Sequence, residues 1–103
     1  MPDPALQLRQ VYLAGFEIKS LDRFPNCIGV VRDECIALLV AGRQGLEMLG
    51  TPGWQMGDTL GVLTEVGGRK VFQAKQETIE ATAERLEMLS RFRADLERLL
   101  AAV

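Results

Sequence analysis

The side chains able to do chemistry are few, and their types are restrictive. The 103-residue chain has no histidine, which removes Ser-His-Asp and Cys-His nucleophilic systems, HExxH zinc sites and imidazole proton shuttles. Acid–base work would fall to carboxylates, to Lys19, Lys70 and Lys75, to Tyr12, or to the thiols of Cys27 and Cys35. A structural zinc takes four Cys or His ligands, and two cysteines cannot supply them. A bridge between them is not expected either. On a helix the pair would stand roughly 12 Å apart along the axis, beyond disulfide reach. In a hairpin turning at Arg32-Asp33-Glu34, Cys35 would face Val31 and Cys27 would face Leu39. Two buried, reduced thiols are the expectation, with no metal and no cofactor.

Asp33 and Glu34 are adjacent, so they diverge on either a helix or a strand, whereas paired-carboxylate catalysis needs two groups converging on one bond. No catalytic residue is assigned. Lys75 would need burial or a neighbouring cation before it could act as a base. It joins Tyr12 and Trp54, whose rings carry polar handles, as the candidate ligand-binding residues. Gly42, Gly45, Gly50, Gly53, Gly57 and Gly61 crowd around Trp54. They read either as a loop whose bare backbone approaches an anion or flat ligand, or as turn punctuation. Neither GxGxxG nor GxxxxGK is present.

The elements that must position these residues follow from composition and pattern. With 48% apolar and 25% charged residues, the chain reads as one folded domain over residues 1–103. Net charge is −2 with the signs mixed, so nothing marks a phosphate-neutralising patch and nucleic acid is not expected as a partner. The longest apolar or glycine run, Cys35–Gly42, falls far short of the about 20 residues of a membrane span. Met1-Pro2-Asp3-Pro4 carries no basic and apolar leader. No membrane partner is expected, and a cytoplasmic location is.

Asp3 suits a helix N-cap and Pro4 the first helical position. Leu8, Val11, Ala14, Ile18 and Leu21 recur at helical spacing, predicting a helix over residues 4–20, although residues 16–20 could instead begin a strand. Residues 26–41 are either a second hairpin or a helix: β-branched residues favour strands, and a helical stripe through Ile28, Val31, Cys35 and Leu38 favours the alternative. In both cases residues 43–49 are expected as a short helix, residues 50–54 as a turn, and Gly57-Asp58 as another.

The best-specified element is a hairpin over residues 60–75 around Gly67-Gly68. Its register sets Val66 against Arg69, Glu65 against Lys70, Thr64 against Val71, Leu63 against Phe72 and Val62 against Gln73. Leu63 and Phe72 share one face; Leu60, Val62, Val66 and Val71 share the other. A lone ribbon is marginal in water, so further strands must come from this chain or a partner. Residues 82–100 form an amphipathic helix with Thr82 as N-cap, a stripe of Leu86, Leu89, Phe92, Leu96, Leu99 and Val103, and a Glu87–Arg91 pair.

Arg43-Gln44-Gly45-Leu46-Glu47-Met48-Leu49-Gly50, then Met56-Gly57-Asp58, then residues 60–72 is similar to the short-helix, Gly-Asp, hairpin layout of swapped-hairpin bacterial regulators and antitoxins. That resemblance implies a DNA-binding regulator. The chain departs from it by the 51–55 insertion, by few basic residues before the hairpin, and by its long C-terminal helix.

The expected fold is α+β: an antiparallel sheet around the 60–75 hairpin with the two terminal helices packed on it. The expected function is a small, soluble, non-enzymatic binding or interaction module acting as a homodimer, with a small-molecule or protein ligand. Its interface candidates are Leu60, Val62, Val71 and Phe72. A DNA-binding regulator is the alternative, and a small enzyme using a carboxylate or lysine the second alternative.

Overall fold

The computed structural model describes residues 3–57 and 59–101. The first helix, α1 (Pro4–Leu13), starts as its sequence dictates: Asp3 Oδ1 accepts the Ala5 N–H at 2.9 Å, and proline opens the first turn. It ends seven residues before the expected boundary of 20. Gly15 takes a φ of +98°, and the Phe16 N–H turns back to the Val11 carbonyl, so a left-handed residue closes the helix. Phe16 drops into the core and Glu17–Lys19 becomes strand β1. Ile18, assigned to the helical stripe, is exposed.

The second-hairpin alternative holds for residues 26–41. Strands β2 (Ile28–Arg32) and β3 (Cys35–Gly42) are joined by Asp33-Glu34, with φ of +52° and +67°. A two-residue turn of this kind matches the twist of the flanking strands. It is one residue tighter than the expected turn, so Cys35 lies opposite Arg32, and Val31 opposite Ile36; Leu39 faces Ile28, not Cys27. Both cysteines are free thiols.

The short helix at 43–49 and the turn at 50–54 are not formed. Both belong to strand β4 (Gly45–Met56). Gly42 sits directly opposite Gly45, which fixes a hairpin in which Leu46 faces Ala41 and Met48 faces Leu39. The turn residues are absorbed as a bulge: β3 pairs Ile36 with Gly53 and Leu38 with Leu49, so Gly50, Thr51 and Pro52 stand against Ala37 alone. Gly50 supplies a φ of +67° there, and proline, lacking an N–H, loses nothing where the ladder is interrupted. With residues 43–49 extended, the layout shared with the swapped-hairpin regulators loses its helix.

Strands β5 (Thr59–Val66) and β6 (Arg69–Ala74) pair in the expected register at all five positions, around Gly67 and Gly68 at φ of +59° and +79°. Gly57 has a φ of +63°; Asp58, its expected turn partner, lies outside the described residues. Strand β7 (Glu77–Glu80) adds to β6, and helix α2 (Ala83–Ala101) follows. Thr82 Oγ1 accepts the Arg85 N–H at 3.2 Å as N-cap, and Arg91 reaches Glu87 at 2.7 Å. Val103 of the predicted stripe lies outside the described residues.

The result is a seven-stranded antiparallel sheet in chain order, β1 to β7, with the two helices. It has three strands more than the four expected within one chain. Gly53 and Gly61 meet where β4 passes to β5: a Cβ on Gly53 would run into the Gly61 carbonyl oxygen. Close backbone approach, not a ligand loop, explains these two glycines. One sheet face carries Val30, Leu39, Leu46, Trp54 and Phe72 against Val11, Leu89, Phe92 and Leu96 of the helices. The other is covered by the β1–β2 connection: Leu21, Phe24 and Cys27 pack with Val31, Ile36, Leu38 and Leu60.

Two polar ties hold the helices on. Gln7, 1% exposed, accepts the Leu46 N–H at 2.7 Å and donates to the Leu100 carbonyl at 3.0 Å. Arg32 donates to Asp95 at 2.7 Å while its guanidinium lies 4.3 Å from the Phe16 ring centroid. Phe16 in turn packs on Phe92, centroids 5.5 Å apart.

Candidate functional site

An open cleft of about 960 Å³ lies where the β1–β2 connection meets the β4–β5 and β6–β7 turns, within the size range of small-ligand sites. Its apolar lining comes from Leu21, Met56 and Ala74, and its charged lining from Lys19, Arg23 and Lys75 with Asp22 and Glu77. Lys19 approaches Glu17 at 4.0 Å. Among the described residues, Arg23 and Lys75 make no ion pair within that distance, although two carboxylates share their cleft.

Lys75, like Asp33 and Glu34 in the β2–β3 turn, has a positive φ. Ala74 and Glu77 are cross-strand partners, so Lys75 is the first residue of a two-residue turn, and it holds a φ of +53°. Glycine is the default there, because a Cβ costs about 1–2 kcal/mol in the left-handed region. Of the three ligand-binding candidates, Lys75 lines the cleft. Trp54 is 4% exposed and stacks on Phe72 with centroids 5.4 Å apart, and it lines a separate, smaller depression. Arg85 lies 5.7 Å from the Trp54 ring centroid, at the rim of that depression with Glu34 and Met88. Tyr12 is exposed on α1, outside both concavities. The structure does not bring the three together.

The interface candidates also separate. Leu60, Val62 and Val71 do lie on one face of the hairpin, as the register requires, but Phe72 is on the other and fully buried within the chain. Leu60 is taken up by the cluster under the β1–β2 connection. Val62 and Val66 stay more than half exposed, at 53% and 54%, with Val71 partly buried between them and β7. Strand β4 pairs with β5 only through residues 54–56 and 59–61. Beyond Gly61 the hairpin keeps ladder pairing only between its own two strands and β7, and Phe72 alone anchors it, stacked on Trp54 in the core.

Titration is perturbed elsewhere. Burial, assisted by the charge of Asp33, pushes the Cys35 thiol up to about 11; a thiol held protonated is a poor nucleophile. The Arg32 hydrogen bond holds the Asp95 carboxyl below its ordinary range. Neither group lines the cleft. Among the described residues there is no group of three His, Cys, Asp or Glu placed to hold a metal ion, and no helix long and apolar enough to cross a membrane. What the described lining of the cleft offers is charge, shape and an apolar wall.

Asp22 and Arg23 were not singled out by sequence, and Lys19 only as one of three lysines able to do acid–base work. Their signal is weak: Ser20-Leu21-Asp22-Arg23-Phe24-Pro25-Asn26 has turn composition, but alternate apolar residues show only in the fold that it spans a sheet face. No protein-family model, curated protein or solved structure matches this chain, so function is argued from its own residues.

Proposed function

We propose that this protein is a small, non-enzymatic binding module whose copies pair through the exposed face of the β5–β6 hairpin. The observation that carries the reading is the pair of valines on that face: Val62 and Val66 are both more than half exposed, on a hairpin that parts from β4 after Gly61. Apolar side chains scattered singly need no explanation, but two exposed valines grouped with the partly buried Val71 on one face of a ribbon favour association.

Edge-to-edge pairing is the less favoured geometry. The outer strands are short, with Glu17 and Lys19 on β1 and Glu77 and Glu80 on β7, the usual means of blunting an edge. Face-to-face packing about a two-fold axis uses the same patch twice. The catalytic alternative lacks support, because the perturbed groups Cys35 and Asp95 are away from the cleft and no acid–base pair converges in it.

Val62→Lys tests the pairing, since an exposed site tolerates lysine without loss of core contacts. Size-exclusion chromatography with circular dichroism should show a smaller species with unchanged secondary structure. Elution identical to wild type at every concentration contradicts pairing through this face.

A further inference from the structure

We propose that the cleft between residues 20–23 and the β6–β7 turn binds a small monocarboxylate carrying a short apolar body. The inference deepens the binding-module reading and is independent of pairing between copies, because the exposed valines of the hairpin do not line the cleft.

The cations of the cleft come from distant parts of the chain. Lys19 ends β1, Arg23 sits in the connection that follows, and Lys75 opens a turn more than fifty residues later, yet all three line one cavity. Arg23 and Lys75 have no carboxylate within 4.0 Å among the described residues, so the cleft presents an arginine and a lysine that no described side chain neutralises. An arginine fork and a lysine point charge are the usual pair for a carboxylate head. Lys75 holds its place against its backbone: at φ +53° glycine would relax the turn, and residues kept in strained conformations gather at ligand sites.

The rest of the lining narrows the ligand. Leu21, Met56 and Ala74 give it an apolar wall that a bare inorganic ion would leave unused. Asp22 and Glu77 share the cleft with Lys19, Arg23 and Lys75, so its described lining carries one positive charge in excess, which a monoanion balances and a di- or tricarboxylate exceeds. A monoanion with a chain of a few carbons fits both halves.

Amide-resolved NMR titration of the full chain tests this, with hexanoate as the probe and hexylamine and citrate as controls of opposite and higher charge. Saturable shifts at Ser20, Arg23, Thr59, Gln76 and Glu77 with hexanoate, and at least fivefold weaker binding of both controls, are expected. Hexylamine binding the same amides as strongly, or hexanoate shifts confined to the hairpin from Val62 to Val71, overturns the proposal. Lys75→Gly adds a readout that a structural lysine would not give. The variant should melt at a higher temperature than wild type and bind hexanoate at least fivefold more weakly. Unchanged hexanoate affinity in this folded variant also overturns it. The same titration on Val62→Lys separates this inference from the pairing: cleft binding must survive there whatever the assembly state.

Discussion

Replacing Gln7 with leucine should destabilise the fold by about 2–4 kcal/mol, although leucine is apolar, close in volume and better suited to a helix. The side chain is 1% exposed and uses both ends of its amide. Leucine would strand the Leu46 N–H inside the core, and an unpaired buried donor costs about 1–3 kcal/mol. The Leu100 carbonyl, at a half-buried helix end, loses its partner too and adds about 1 kcal/mol, since water can partly replace the amide. Volume is nearly conserved, so no large cavity term enters. Gln7→Ala, which does open a cavity, should therefore be worse than Gln7→Leu by about 1–2 kcal/mol. Urea unfolding followed by circular dichroism reads the difference: with a slope of about 1–3 kcal/mol per molar, the leucine variant's midpoint should fall by roughly 1–2 M. A Gln7→Leu protein within about 0.5 kcal/mol of wild type would mean that the amide does not tie α1 to β4 and α2, and would refute the reasoning.

Two further outcomes follow from the perturbed groups. Cys35 keeps its proton in the folded state up to about pH 11 against an ordinary value of 9.0, so the folded state binds the extra proton and stability falls as pH rises across that interval, by roughly 1–3 kcal/mol. Cys35→Ser or Cys35→Ala should flatten that alkaline limb in urea midpoints taken from pH 8 to 11, and alkylation of native protein at pH 8 should label Cys27 well before Cys35. Asp95 is shifted the other way by Arg32, so its contribution is present above its ordinary pKa of 3.8 and is lost as pH falls below it. The drop in urea midpoint between pH 6 and pH 3 should be smaller in Arg32→Gln than in wild type; an equal drop in both would deny the Arg32–Asp95 link.

The parts of the fold legible in sequence were those decided locally. Asp3-Pro4, Thr82 and Gly67-Gly68 each set an end or a turn by their own chemistry, and the hairpin register followed because one slip would have broken both the Glu65–Lys70 and Leu63–Phe72 pairings. What misled was decided by partners distant in sequence. Gly50-Thr51-Pro52 has the composition of a turn, and only the continuation of β3 past Ala37 makes it a bulge. Residues 43–49 have helical spacing in isolation, but a two-residue reversal after Gly42 lets Leu46 and Met48 alternate onto the core face. Gln7 carries no signal of its own in the sequence; its role depends on Leu46 and Leu100. The cleft was half legible for the same reason. Lys75 could be marked from its place at a strand end, but Lys19 and Arg23 reach it through a connection whose path is set by Leu21 and Phe24 packing on the sheet.

The central claim is that two copies meet through the hairpin face, and the molar mass of the unmodified protein tests it most directly. Light scattering across a dilution series in the micromolar range should give twice the 11.4 kDa of one chain, falling toward the single-chain mass on dilution. A constant 11.4 kDa over the whole series would contradict the pairing and leave a seven-stranded monomer with Val62 and Val66 open to solvent.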